Sequence, residues 1–214
     1  MHHKTLTAAM FGAAIVAASL TASPAAATPL RPAAIAGDSH SSAVATRAVE
    51  TLASYDALTR AGGTTRLIRY IGDRNATADA VAAEFGLDAG EVRQAWSRAG
   101  HQHQIAVLAA LSQLGVEYRS NTSEPGVGFD CSGLTAYAWG RAGVSLYRQS
   151  GVQISNAAPR DRGSALAGDL IQYPGHVMMY LGVGDAIVHA SNPETDVELS
   201  TLRDRSYSWG DPST

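Results

Sequence analysis

The distribution of apolar residues changes once along this chain, and that change restricts the folds open to it. From Ser41 to Leu114 the apolar side chains recur at helical spacing. Beyond Asp169 they gather into short β-like runs separated by turn residues. Helices first and strands afterwards argue for an α+β fold, with helices packed on an antiparallel sheet. At 214 residues the chain is long enough for one good domain plus an appendage.

The helical part divides by its punctuation. Ala48, Leu52, Tyr55 and Leu58 share a face, and Gly62-Gly63 ends that stretch. Leu67, Ile68 and Ile71 suggest a short second helix closing near Gly72. Thr77 can cap a third that runs to Phe85, and Asp88 with Glu91 forms a capping-box-like start to a fourth ending before Gly100. These place a helical N-terminal region at 41–100, behind a flexible leader at 28–40. Ala82, Gly86 and Val92 also match the spacing of a helix-turn-helix. That spacing reports two helices crossing tightly, and the would-be recognition helix carries only Arg93 and Arg98 as basic residues. No nucleic-acid partner is expected.

Residues 1–27 read as a signal peptide. His2, His3 and Lys4 make a weakly basic start, Leu6 to Leu20 is almost free of polar groups, and Ala25-Ala26-Ala27 supplies a small-residue cleavage site. The apolar run is too short to span a bilayer comfortably. The expected product is secreted and extracytoplasmic, in cell wall or periplasm, with no membrane contact after cleavage. The formal net charge is −3, and cleavage removes one base, Lys4, and no acid. A mildly acidic chain is a poor ligand for nucleic acid or an anionic membrane.

Cys131 is the only cysteine, so it cannot form an internal disulfide. It is either a buried small hydrophobe or a reactive thiol. It follows Asp130, a residue suited to cap a helix from Cys131 to about Ala142. At a helix start the unpaired N–H groups and the dipole favour an anion. With a histidine nearby, such a position can lower a thiol's pKa from about 8.5 into the range of roughly 3.5–7.5.

Two histidines lie in the strand-rich part. His176 and His189 bracket a hairpin whose turn is Gly182-Val183-Gly184-Asp185. If Leu181 pairs with Ala186, His189 falls opposite Met178 and His176 opposite Ser191. The period of two then puts both histidines on one face, as diagonal neighbours on adjacent strands. A slip of one residue would separate them. His101 and His103 flank a helix start, read as solvated, and have no acid or cysteine cluster in the sequence beside them. No metal and no cofactor are expected.

Several short motifs now stand together: Gly128-Phe129-Asp130-Cys131-Ser132-Gly133-Leu134, Arg148-x-Ser150-x-x-Gln153, Gly168-Asp169-Leu170, His176-Val177-x-x-Tyr180-Leu181-Gly182, and His189-Ala190. In this order, the segment from Gln104 to the end resembles the NlpC/P60 family of cell-wall cysteine peptidases. The resemblance implies a papain-like core with the nucleophile at a helix N-terminus, spanning 104–214. It implies Cys131 as nucleophile, His176 as general base and His189 as the polar residue that orients it. Tyr118, Asp130 and Ser132 become candidates for the oxyanion and substrate-binding side. The implied substrate is a peptidoglycan stem peptide, most often cut between D-glutamate and a diamino acid. A catalytically silent peptidoglycan-binding module and an amidase of the same superfamily are the alternatives. Departures from the family pattern lie at Arg119-Ser120-Asn121-Thr122, at Tyr147 and Ala167, and in the two-residue turn Pro174-Gly175.

Overall fold

The protein is described by a computed structural model covering residues 39–213, with side chains from residue 43 onward. The expected signal peptide and nearly all of the expected leader lie outside the described residues. Ser39 and His40, the last two residues of the expected leader, are helical.

Among the described residues four helices come first: α1 (Ser39–Ala61), α2 (Thr64–Phe85), α3 (Ala89–Arg98) and α4 (His101–Leu111). The expected break near Gly72 is absent, and α2 runs through it. An interior glycine disfavours helix by only about 1 kcal/mol. Burial of Tyr70, Thr77, Ala78 and Val81 along the same helix outweighs that. The stop at Gly86 is as expected, in a left-handed conformation with φ 62°. Asp88 caps α3 by accepting from the Glu91 N–H at 2.9 Å. Ala82 and Val92 are buried, and Arg93 pairs with Asp79 across the crossing. The helix-turn-helix spacing is thus spent on packing α2 against α3.

After α4 a small two-stranded ribbon, β1 (Ser123–Glu124) and β2 (Gly128–Phe129), leads into α5 (Cys131–Arg141) and α6 (Ser150–Asn156). Six strands then form an antiparallel sheet: β3 (Ala158–Arg160), β4 (Leu170–Tyr173), β5 (His176–Tyr180), β6 (Ala186–Ala190), β7 (Val197–Thr201) and β8 (Ser208–Asp211). Their spatial order is β3-β8-β4-β5-β6-β7. The chain is α+β, with helices on an antiparallel sheet, as its sequence implies.

Side-chain alternation along the sheet serves two clusters. Val177, Met179, Val188 and Ala190 join a core that is continuous with Leu134, Ala138 and Trp139 of α5 and with Leu52, Val81 and Trp96 of the first helices. Met178, Tyr180 and Ile187 face the other way, into a smaller cluster with Ile171, Tyr207 and Trp209. Helices and sheet therefore bury one common core.

Candidate active site

Cys131 opens α5, and its setting is built by hydrogen bonds to its neighbours. Asp130 caps the helix by accepting from the Gly133 N–H at 2.8 Å. Arg148 grips the same carboxylate with both terminal nitrogens, at 2.8 and 2.7 Å. The Asn121 N–H adds a bond at 2.7 Å. Burial alone would raise the Asp130 pKa, but the bonds from Arg148, Gly133 and Asn121 together outweigh it and hold the carboxyl below its usual range. Arg148 also donates to Ser132 Oγ and to the Thr122 carbonyl. Gln153 ties in from α6, donating to the Ser132 and Tyr147 carbonyls while Thr135 donates to it. The motif residues Arg148 and Gln153 thus brace the first turn of α5.

Gly133 has a steric reason. A Cβ there would lie 2.0 Å from the Thr122 carbonyl oxygen, far inside contact distance. That close approach presses the altered segment Arg119–Thr122 against the helix start.

Asp130 and Ser132, named by the resemblance as candidates for the oxyanion and substrate-binding side, make these internal hydrogen bonds and also line the groove beside Cys131. Ser132 is buried. Tyr118 is half-buried and lines an open groove together with Asn121, Cys131, Arg148, Ser150 and Gly175. The Arg148 charge reaches both Cys131 and Tyr118. Gly175, with φ 88°, belongs to the tight turn that joins β4 to β5. The next residue in the chain is His176.

The hairpin has the register its loop length implies: Tyr180 pairs with Ile187, and the Leu181 N–H donates to the Ala186 carbonyl at 3.0 Å. His176 Nε2 and His189 Nδ1 are 3.0 Å apart. Both rings are nearly buried, at 7% and 9% exposure. Burial, and then the Arg205 charge, lowers the His176 pKa to about 4. Burial, then the neighbouring His176 and Arg203, lowers His189 to about 4. Both imidazoles are neutral near pH 7. Tyr173 packs on the His176 ring with centroids 5.2 Å apart, and the Arg205 guanidinium lies over Tyr173. Beyond His189, its Nε2 lies 3.3 Å from Oε1 of Glu198 on β7.

The reading of His103 as solvated is wrong. Its ring is buried, and Nε2 lies 3.1 Å from Asp169 and 3.2 Å from Asp211. Arg160 reaches the same pair, at 2.5 Å from Asp211 and 3.9 Å from Asp169. These residues come from α4, the position just before β4, the end of β8 and β3, so sequence proximity gives no sign of them. The cluster has a metal-like donor set, but its carboxylates already hold the Arg160 cation, the Leu166 N–H and the Ser213 N–H. It joins helix to sheet.

Residues 115–210 match the model of the NlpC/P60 family. Over 126 residues the chain is 34% identical to a "probable endopeptidase" of Corynebacterium glutamicum, covering 58% of each chain. Over 93 residues it is 42% identical to the peptidoglycan endopeptidase RipB of Mycobacterium tuberculosis, covering 42% of this chain and 36% of that one. Over 90 residues it is 34% identical to a gamma-D-glutamyl-L-lysine dipeptidyl-peptidase of Bacillus cereus, covering 38% and 27%. The chain spans about half the length, or less, of the curated relatives it matches.

Proposed function

We propose, on the premise that this chain belongs to the NlpC/P60 family, that it is a cysteine endopeptidase of peptidoglycan stem peptides. The observation that carries this reading is the pairing of His176 with His189 at 3.0 Å, directly after a turn that lines the same groove as Cys131. A thiol at a helix start, a buried neutral imidazole and a second imidazole behind it make a nucleophile, a base and an orienting group.

In this mechanism the Cys131 thiol gives its proton to His176 as sulfur attacks the scissile carbonyl. The Arg148 charge and the α5 helix start face the sulfur on which negative charge develops. The oxyanion is held at the helix start by the Cys131 N–H, with the Tyr118 hydroxyl on the same groove wall. His176, now imidazolium, protonates the leaving amine. It then takes a proton from water as the water oxygen attacks the thioester carbon, and it returns that proton to sulfur as the C–S bond breaks, which releases the acid and restores the thiol. Asp130 and Ser132 act by holding the helix turn.

The named activities of the relatives support peptidoglycan as substrate, and the Bacillus cereus relative supports the bond after γ-D-glutamate. Such a substrate lies outside the cytoplasm, in keeping with the signal-like start of the sequence. No described helix is long and apolar enough to cross a membrane. Purified peptidoglycan and a synthetic stem tripeptide, digested with the wild type and with Cys131→Ala and analysed by mass spectrometry, test the reading. Thiol-dependent scission after D-glutamate is expected. Binding without scission would replace it with the silent binding module, and release of the whole stem peptide would replace it with an amidase.

A further inference from the structure

We propose that Glu198 is a positioning residue for this site, one that selects the tautomer of His189 and through it that of His176. The role rests on His176 acting as the base in the proposed peptidase.

The argument begins with one proton. His176 Nε2 and His189 Nδ1 face each other at 3.0 Å, and between two neutral rings only one of them can donate. If His189 donates, its own Nε2 is a bare lone pair, and His176 carries its hydrogen on Nδ1. If His176 donates, His189 carries its hydrogen on Nε2, and His176 Nδ1 is bare. Only the second arrangement leaves His176 a nitrogen able to take the thiol proton.

The sheet decides between them. β6 and β7 pair so that His189 stands directly opposite Glu198. Glu198 Oε1 is 3.3 Å from His189 Nε2, a buried nitrogen with no well-aligned hydrogen bond of its own. A carboxylate facing a bare imidazole lone pair is repulsive, whereas facing an N–H it attracts. Glu198 therefore favours His189 Nε2–H, then His176 Nε2–H, then a free His176 Nδ1. When His176 becomes imidazolium, the same carboxylate offsets part of the new charge. Its side chain is 40% exposed, so water screens that effect without removing it.

The test compares Glu198→Gln and Glu198→Ala, each in the native chain and in a His189→Asn background. Two readouts are taken: kcat and KM on one stem peptide, and the rate at which iodoacetamide alkylates Cys131 at neutral pH. Glu198→Ala should lower kcat roughly 10-fold with KM unchanged. Glu198→Gln should keep more of kcat, because its amide oxygen still accepts the Nε2–H. Both should slow alkylation, since the imidazolium formed when His176 takes the thiol proton loses its counter-charge. In the His189→Asn background neither should have a further effect. An unchanged kcat in Glu198→Ala, or equal losses in both backgrounds, would overturn the proposal. Glu198→Gln, close in shape to the native residue, carries the test should Glu198→Ala fail to fold. If the wild type cleaves no stem peptide, the peptidase reading fails separately. Alkylation then decides the Glu198 role, and equal rates in wild type and Glu198→Gln would end it.

Discussion

The Trp96 indole Nε1–H donates to the Leu181 carbonyl at 2.9 Å, tying α3 to the hairpin that carries His176 and His189. The indole is almost wholly buried. Gly182, next in the chain, packs so closely that a Cβ there would lie 2.8 Å from the Ala167 Cβ and 3.2 Å from that of Ala95. The helical region is thus fastened to the far end of the hairpin from the histidines.

Trp96→Phe should destabilise the protein by about 1–3 kcal/mol, because it leaves the Leu181 carbonyl without a partner as well as removing ring volume. Urea titration measures this through the shift in midpoint. A chain lacking residues 39–100 should lose both stability and turnover. An unchanged melting temperature and unchanged turnover in that chain would show the helices to be an independent module.

Cys131→Ala should abolish hydrolysis and leave the melting temperature within a degree or two, since alanine suits the first turn of α5 and Asp130 still caps it. Wild-type activity in the folded variant would reject the nucleophile assignment.

Arg148→Gln should act on both stability and rate. It removes the two-nitrogen grip on Asp130. A partly buried carboxylate left without its cation is destabilising by roughly 1–3 kcal/mol. Arg148→Lys restores charge but not the paired geometry, so it should recover the thiol's alkylation rate more than the melting temperature. Equal recovery of both would argue that charge alone matters.

Among the histidines, His176→Asn should retain almost no turnover, because an amide cannot serve as a base near neutral pH. His189→Asn or His189→Gln should retain more than His189→Ala, since an amide oxygen can accept from His176 Nε2. Direct proton transfer is worth typically 10²–10⁴-fold, which sets the scale of the His176 loss. Should His189→Ala match the wild type, another group orients His176, and Asn192, just beyond β6, is the next candidate.

Stability should fall on acidification through these two rings. Both are lowered to about 4 in the folded chain, whereas an unfolded chain binds the proton near about 6.5. The folded form therefore binds fewer protons between those values, and its stability is lost as pH drops from about 6.5 toward 4. Thermal melts at pH 7, 5.5 and 4.5 measure the slope, and a folded His189→Asn variant should show a shallower one. A wild-type melting temperature flat across this range would mean that the rings are not held neutral.

What this sequence determined by itself was local or short-range. The cap at Asp130, the stop at Gly86 and the register of the β5–β6 hairpin depend on residues a few places apart, and a short even loop leaves one register that keeps both faces consistent. The pairing of His176 with His189 follows from that register. What the tertiary structure decided lies beyond such reach. Gly72 interrupts nothing because α2 gains more from burying its long face than one glycine loses. His103 is buried because Asp169 and Asp211 arrive from just before one strand and the end of another. Glu198 faces His189 only after a six-residue connection brings β7 back beside β6, and no local pattern sets a register across a loop of that length. Long-range partners are chosen by which arrangement buries the common core while leaving its charges paired, and that is a property of the whole chain.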